Sequence, residues 1–292
     1  MKDKNKAILF LISSALGFAF MNLFVKMSGD LPTMQKCFFR NFVAMFFALG
    51  VMLKEKVNFI PPKASVKYIA IRCIAGSLGM IANFYAIDKL VIADASMLNK
   101  MSPFFAIIFS YIMIKEVPKR YQVACVVTAF IGALFILKPG LSFSFPTFIG
   151  MLGGAGAGMA HTNVRIATSK GAPKPLIIAY FSAFTSLMCL PWFIGDFAPM
   201  TGFQWFCMIF AGLSATVGQF GITSAFALAR ASEISVYDYT MILFSTTLGY
   251  FFLGEMPDVF SFVGYAIIIG AAVTMFILSN REDHINAIKE SN

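Results

Sequence analysis

The chain has 292 residues, of which 59% are hydrophobic and 13% charged, with a formal net charge of +9 and a mean hydropathy of +0.78. Soluble domains carry roughly 25% charged and 45–50% apolar residues. A water-soluble fold of this length could not hide so much apolar surface, so lipid must cover it, and the soluble classes of enzyme and binding domain are excluded.

Taken in chain order, Met1 to Lys6 is basic and precedes an apolar run, which superficially resembles a secretory signal. Nine further apolar segments follow, so the run is read as a retained first span. A helix needs about 20 apolar residues to cross the ~30 Å hydrocarbon layer. Candidate spans fall near 7–27, 33–53, 67–88, 92–114, 121–138, 146–168, 175–195, 203–228, 234–253 and 259–279, with 281–292 as a tail. Pro61, Pro62, Pro118, Pro139, Gly140, Pro173 and Pro257 punctuate the short loops between them. The runs do not alternate as barrel strands would. The expected fold is an all-α membrane protein of ten transmembrane helices.

Placing the N-terminus in the cytoplasm puts fifteen Lys and Arg in cytoplasmic segments, against Lys26, Lys36, Lys89 and Lys138 on the other side. That asymmetry fits the positive-inside rule and returns both termini to the cytoplasm. It also accounts for the positive charge without a nucleic-acid partner, because the cations are scattered over separate short loops. Five cysteines (Cys37, Cys73, Cys125, Cys189 and Cys207) stand singly with no C-x-x-C pair, which suggests buried inert thiols and neither a disulfide framework nor a zinc site.

An offset of 139 residues places Ser96 on Ser235, Phe105 on Phe244, Tyr111 on Tyr250, Glu116 on Glu255 and Pro118 on Pro257. Asp94 and Glu233 coincide as acids. The expectation is two five-helix repeats, 1–140 and 146–280. Five spans is an odd number, so the second repeat enters the membrane inverted, an architecture that puts a solute site near the midplane.

Polar residues inside the spans are the candidate site. Four cations remain once the loops are accounted for: Arg40, Arg72, Lys100 and Arg165. A charge at the bilayer centre costs roughly 2.5–3.5 kcal/mol, so it faces a cavity or a partner. Arg72 and Arg165 lie near span ends and are expected to snorkel to the cytoplasmic interface. Lys100 lies about eight residues into its span, roughly 12 Å deep, and is read as facing a cavity or pairing with Asp238 or Asp94. Arg40 is divided between solute contact and structural pairing. Asn99 adjoins Lys100, and Pro103 frees a backbone carbonyl there. The 139-residue offset sets Asp238 on Asn99 and Tyr239 on Lys100, so these four are expected at one cavity. Asn22, Asn83, Tyr85, His161 and Gln219 are further candidates, each with helix-to-helix hydrogen bonding as the alternative. The glycine run from Gly150 to Gly158 lacks the Lys and hydroxyl of a phosphate loop and is read as close helix packing. No catalytic constellation, cofactor motif or metal-ligand spacing stands out.

Several short stretches carry a family likeness: Arg40 and Asn41, Asn83 to Ala86, Ala93 to Ser96, Ser102 to Phe104, Lys115 and Glu116, Gly132 to Ile136, Ala225 to Ala227, and Gly254 with Glu255. With the 5+5 layout they make the chain resemble the EamA-type members of the drug/metabolite transporter superfamily over nearly its whole length. The resemblance implies alternating access around a cavity lined by both halves. The excess of intramembrane cations over the one deep acid, Asp238, suits a small polar metabolite with a carboxylate or phosphate, such as an organic anion, an amino acid or a nucleoside-containing metabolite. An exporter of cationic or amphipathic drugs is the alternative, weakened because Glu116 and Glu255 sit at span ends. A membrane-embedded enzyme acting on lipids is a remote second. A small-molecule solute and the lipid bilayer are the expected partners, in a bacterial inner membrane. A coupling ion or counter-solute, and a monomer or homodimer, are left open.

Overall fold

The computed structural model describes residues 2–89, 98–137, 144–254 and 258–291. Among them every regular element is helical. The helices are α1 (Lys2–Met27), α2 (Thr33–Lys54), α3 (Val66–Lys89), α4 (Ser102–Ile114), α5 (Arg120–Leu137), α6 (Phe145–Ser169), α7 (Lys174–Gly195), α8 (Gly202–Leu228), α9 (Thr240–Leu253) and α10 (Val259–Ser291). A single helical turn, Ala231–Ile234, and a 3-10 turn, Ser235–Tyr239, lead into α9. Among the described residues five helices are long and apolar enough to cross a bilayer: Asp3–Met27, Thr33–Lys54, Lys174–Gly195, Gly202–Leu228 and Phe262–Glu282. Ser102–Ile114 and Arg120–Phe135 are shorter apolar helices. Asp94, Ser96, Lys138, Pro139, Gly140, Glu255 and Pro257, which entered the reading of spans and repeats, lie outside the described residues.

Local sequence explains the helix ends. Ser144 caps α6 by accepting from the Thr147 amide, and Pro146 sits in the first turn, where its missing N–H costs nothing. Thr201 and Gln204 form a reciprocal capping box on α8. α4 ends at Lys115 with φ 57°, and α9 ends at Gly254 with φ 69°. These two positions are 139 residues apart, and both stop their helix with a left-handed residue.

The same offset runs through the packing. The pairs α1·α8 and α3·α6 are the most extensive contacts, followed by α2·α7 and α5·α10, then by α4·α6, α2·α8 and α1·α9, with α3·α7 next. Exchanging the halves (α1 with α6, α2 with α7, and so on) maps each of these pairs onto another or onto itself. The glycines show it most sharply. A Cβ on Gly17 would lie 2.8 Å from the Gly218 nitrogen, and a Cβ on Gly156 would lie 2.8 Å from the Gly79 Cα. Gly17 matches Gly156 and Gly79 matches Gly218 at the 139-residue offset, so one backbone-to-backbone crossing is made twice. Close approach of this kind is how helices associate where lipid tails remove the hydrophobic drive. Gly154 and Gly158 of the same run lie against Leu98 and Ala106, which seats α6 on the α4 segment as well.

The outer surface is apolar. Phe46, Leu187, Phe251 and Phe262 are each more than half exposed, and they belong to an apolar surface that a soluble monomer does not carry. All five cysteines are buried free thiols.

Candidate functional site

Small crossings at α1·α8 and α3·α6 draw those helices together and leave a space where α2, α4 and the α9 lead-in converge. The result is a cavity of about 260 Å³. It is lined from both halves of the chain: Asn22, Arg40, Arg72, Asn83, Asn99 and Lys100 from the first, His161, Gln219 and Asp238 from the second. Phe18, Met80, Phe181 and Met241 supply apolar wall.

The breaks before α4 and α9 carry the chemistry. Pro103 stands in the first turn of α4, and the Phe104 amide turns to the Met101 carbonyl at 3.0 Å. The Lys100 carbonyl is therefore free, and it accepts the Tyr239 hydroxyl at 3.0 Å. Lys100 and Tyr239 are repeat equivalents, so the two broken segments are stapled to each other at matching positions. The Lys100 ammonium reaches Asp238 Oδ2 at 3.1 Å, and donates to the Asp238 carbonyl and Met241 Sδ, each at 3.3 Å. This ion pair lies at the wall of the cavity, with side chains only 8% and 16% exposed.

The two guanidiniums are differently placed. Arg40 donates to Met80 Sδ at 3.4 Å and stands 5.6 Å from the centroid of the Phe18 ring. Arg72 lies 3.9 Å over the Phe181 ring, and its Nε is buried with no hydrogen-bond partner. Gly76, one turn along α3, leaves room for the Arg72 guanidinium that any side chain would occupy. Among the described residues neither arginine makes an ion pair. The cavity thus holds three cationic side chains and one carboxylate, and that carboxylate is already engaged by Lys100. Guanidiniums held without a carboxylate present fixed donors suited to a carboxylate or phosphate. The Asn83 Oδ1 is also buried and unpartnered. His161 stacks on Phe226 at 4.6 Å, and Gln219 donates to Thr223 at 3.3 Å.

Four expectations differ from this geometry. Arg72 is 3% exposed and turned inward rather than snorkelling. Its position along α3 fixes only its depth, whereas packing of α3 on α6 and α7 decides which way it faces. The stripe Arg72, Gly76, Met80 and Asn83, at helical spacing, is the signal that would have found it. Arg165 does not end free in solvent but is held by Glu116 Oε1 at 2.6 Å, with Arg230 at 4.0 Å from the same oxygen. Tyr239 is fully buried behind the wall and acts on the Lys100 backbone. Tyr85 stands outside the lining, 37% exposed and edge-on to Phe145.

A duplicated all-helical bundle with an apolar outside and a charged central cavity fed by both halves defines an integral membrane transporter rather than an enzyme. The chain belongs to the EamA-like transporter family, which it matches twice, over residues 5–138 and 145–277, and so to the drug/metabolite transporter superfamily. It is 29% identical over 272 residues to the pseudopaline exporter CntI of Pseudomonas aeruginosa, covering 92% of this chain and 95% of that one. It is 24% identical to human solute carrier family 35 member G1, covering 94% and 80%, and 26% identical to an uncharacterized transporter of Helicobacter pylori, covering 87% and 89%. A solved crystal structure superposes with a TM-score of 0.80 at 17% identity, over 93% of this chain and 98% of that one, which shows the shared fold.

Proposed function

We propose that the protein is a secondary transporter that moves a small polar metabolite bearing a carboxylate or phosphate by alternating access. The observation that carries this reading is the pair of ion-pair-free guanidiniums, Arg40 and Arg72, in a central cavity that both repeats line. The anionic group docks on these two. The neutral or amine end of the solute meets the Lys100–Asp238 pair, with Asn22, Asn83, Asn99 and Gln219 available for hydrogen bonds.

The two repeats are inverted relative to each other, with both termini cytoplasmic and the bundle in a bacterial inner membrane. The charge bias of the loops supports this orientation. The Arg165–Glu116 pair ties α6 to the α4–α5 corner, at the end that this orientation places in the cytoplasm. The name of the Pseudomonas relative, an exporter, supports outward movement of the solute.

Reconstitution into liposomes with labelled carboxylates, amino acids and sugar phosphates tests the reading. Uptake or exchange of at least one anionic solute, lost in Arg72→Gln and retained for no uncharged analogue, is expected. Transport only of cationic amphiphiles, indifferent to Arg40 and Arg72, would sink it. Single cysteines introduced in 56–63 and 196–201 should label from the cytoplasmic and the outer side respectively. Labelling from one side only would overturn the inverted topology.

A further inference from the structure

A second and larger hollow, about 920 Å³, lies away from the solute cavity against α1, α2 and α8. Its walls are mostly apolar, among them Phe10, Phe47, Val217 and Phe220. Phe47 is 50% and Val217 55% exposed, so these walls belong to the apolar outer surface rather than to the bundle interior. At one end it carries two opposite charges, Glu55 at the C-terminal cap of α2 and Lys174 at the start of α7. Among the described residues neither makes an ion pair. The Lys174 ammonium stands 5.9 Å from the centroid of the Phe10 ring, at the boundary between the charged mouth and the apolar walls.

An apolar trough open to lipid, with an ammonium and a carboxylate held apart at its mouth, matches a molecule with the reverse arrangement of charges. We propose that this groove binds a zwitterionic phospholipid with a primary amine headgroup, phosphatidylethanolamine. Its phosphate rests on Lys174, its ammonium donates to Glu55, and its acyl chains run past Phe10 and Phe47 along Val217 and Phe220. An anionic headgroup would satisfy Lys174 but meet the Glu55 carboxylate. A choline headgroup has no N–H to donate to it. The 139-residue offset sets Glu55 on Ile194 and Lys174 on Gln35, so the charged mouth is not a by-product of the duplication. The site depends on the membrane setting of the chain and not on which solute is carried.

Native mass spectrometry of the detergent-purified full chain tests this. The protein is offered equal amounts of phosphatidylethanolamine and phosphatidylglycerol with identical acyl chains. Wild type should retain phosphatidylethanolamine roughly two- to fivefold better, the scale of an exposed ion pair. Glu55→Gln should level the two lipids, and Lys174→Gln should weaken both. Val217→Trp, which fills the trough, should lower retention of either lipid, and the rise in apparent melting temperature on adding lipid should shrink with it. Equal retention of the two lipids by wild type would overturn the proposal, as would a preference untouched by both charge variants. So would a dimer that Val217→Trp dissociates, since the groove would then belong to a second copy of the chain.

Discussion

A Lys100→Met, Asp238→Asn double-mutant cycle separates the two jobs that the central ion pair can do. The pair spans 3.1 Å with side chains 8% and 16% exposed, and Lys100 adds contacts to the Asp238 carbonyl and Met241 Sδ. The gross attraction at that distance is about 5 kcal/mol for an effective dielectric of 20. Desolvation of both groups offsets much of it, leaving about 1.5–3 kcal/mol, the usual net for a charge-assisted hydrogen bond. Each single change should therefore lower apparent melting in detergent by roughly 3–12 °C, at about 2–4 °C per kcal/mol for a chain of this size. The double variant removes both charges together, so its loss should resemble that of one single rather than their sum, with a coupling of about 1–3 kcal/mol. Transport is read on the same four proteins with an acid, its amide and its decarboxylated amine. If Asp238 meets the amine end of the solute, Asp238→Asn should hurt the amine most, whereas Lys100→Met should leave the preference for the acid over its amide to Arg40 and Arg72. If the pair only fastens α4 to the α9 lead-in, all three solutes should fall together. Strictly additive stability losses would refute the pair itself.

Gly156→Leu should cost about 3 kcal/mol or more, because even a Cβ there would meet the Ala75 carbonyl oxygen at 2.7 Å, and backbone cannot give way as a side chain can; a well-expressed variant with unchanged melting would refute the close crossing. Tyr239→Phe removes one hydrogen bond to the Lys100 carbonyl, worth about 1 kcal/mol, and should lower transport more than that loss of stability accounts for, because Lys100 is repositioned. Arg165→Gln leaves the half-buried Glu116 without its main partner and should destabilise by about 1–3 kcal/mol, with Glu116→Gln in the same chain restoring most of it; failure of that rescue in thermal melts would show that the pair does not act as a unit.

Composition and apolar run length alone determined that this chain lives in a bilayer as a helical bundle, because no arrangement of so many apolar residues is stable against water. The duplication was legible as well: Ser96, Phe105, Tyr111 and Glu116 repeat 139 residues on, and a repeat that conserves side-chain type leaves its trace in one dimension. Pro103 and the depth of Lys100 pointed to the broken helix at the centre of the site. Which way each polar residue faces was not legible. Arg72 and Arg165 lie at similar depths in their helices, yet one stacks on Phe181 inside the cavity and the other is paired with Glu116. Depth along a helix is a property of sequence, but rotation about the helix axis is set by which neighbour it packs against. That choice rests on the paired crossings of Gly17 with Gly218 and Gly79 with Gly156, which are contacts between residues far apart in the chain and exist only once the bundle has closed.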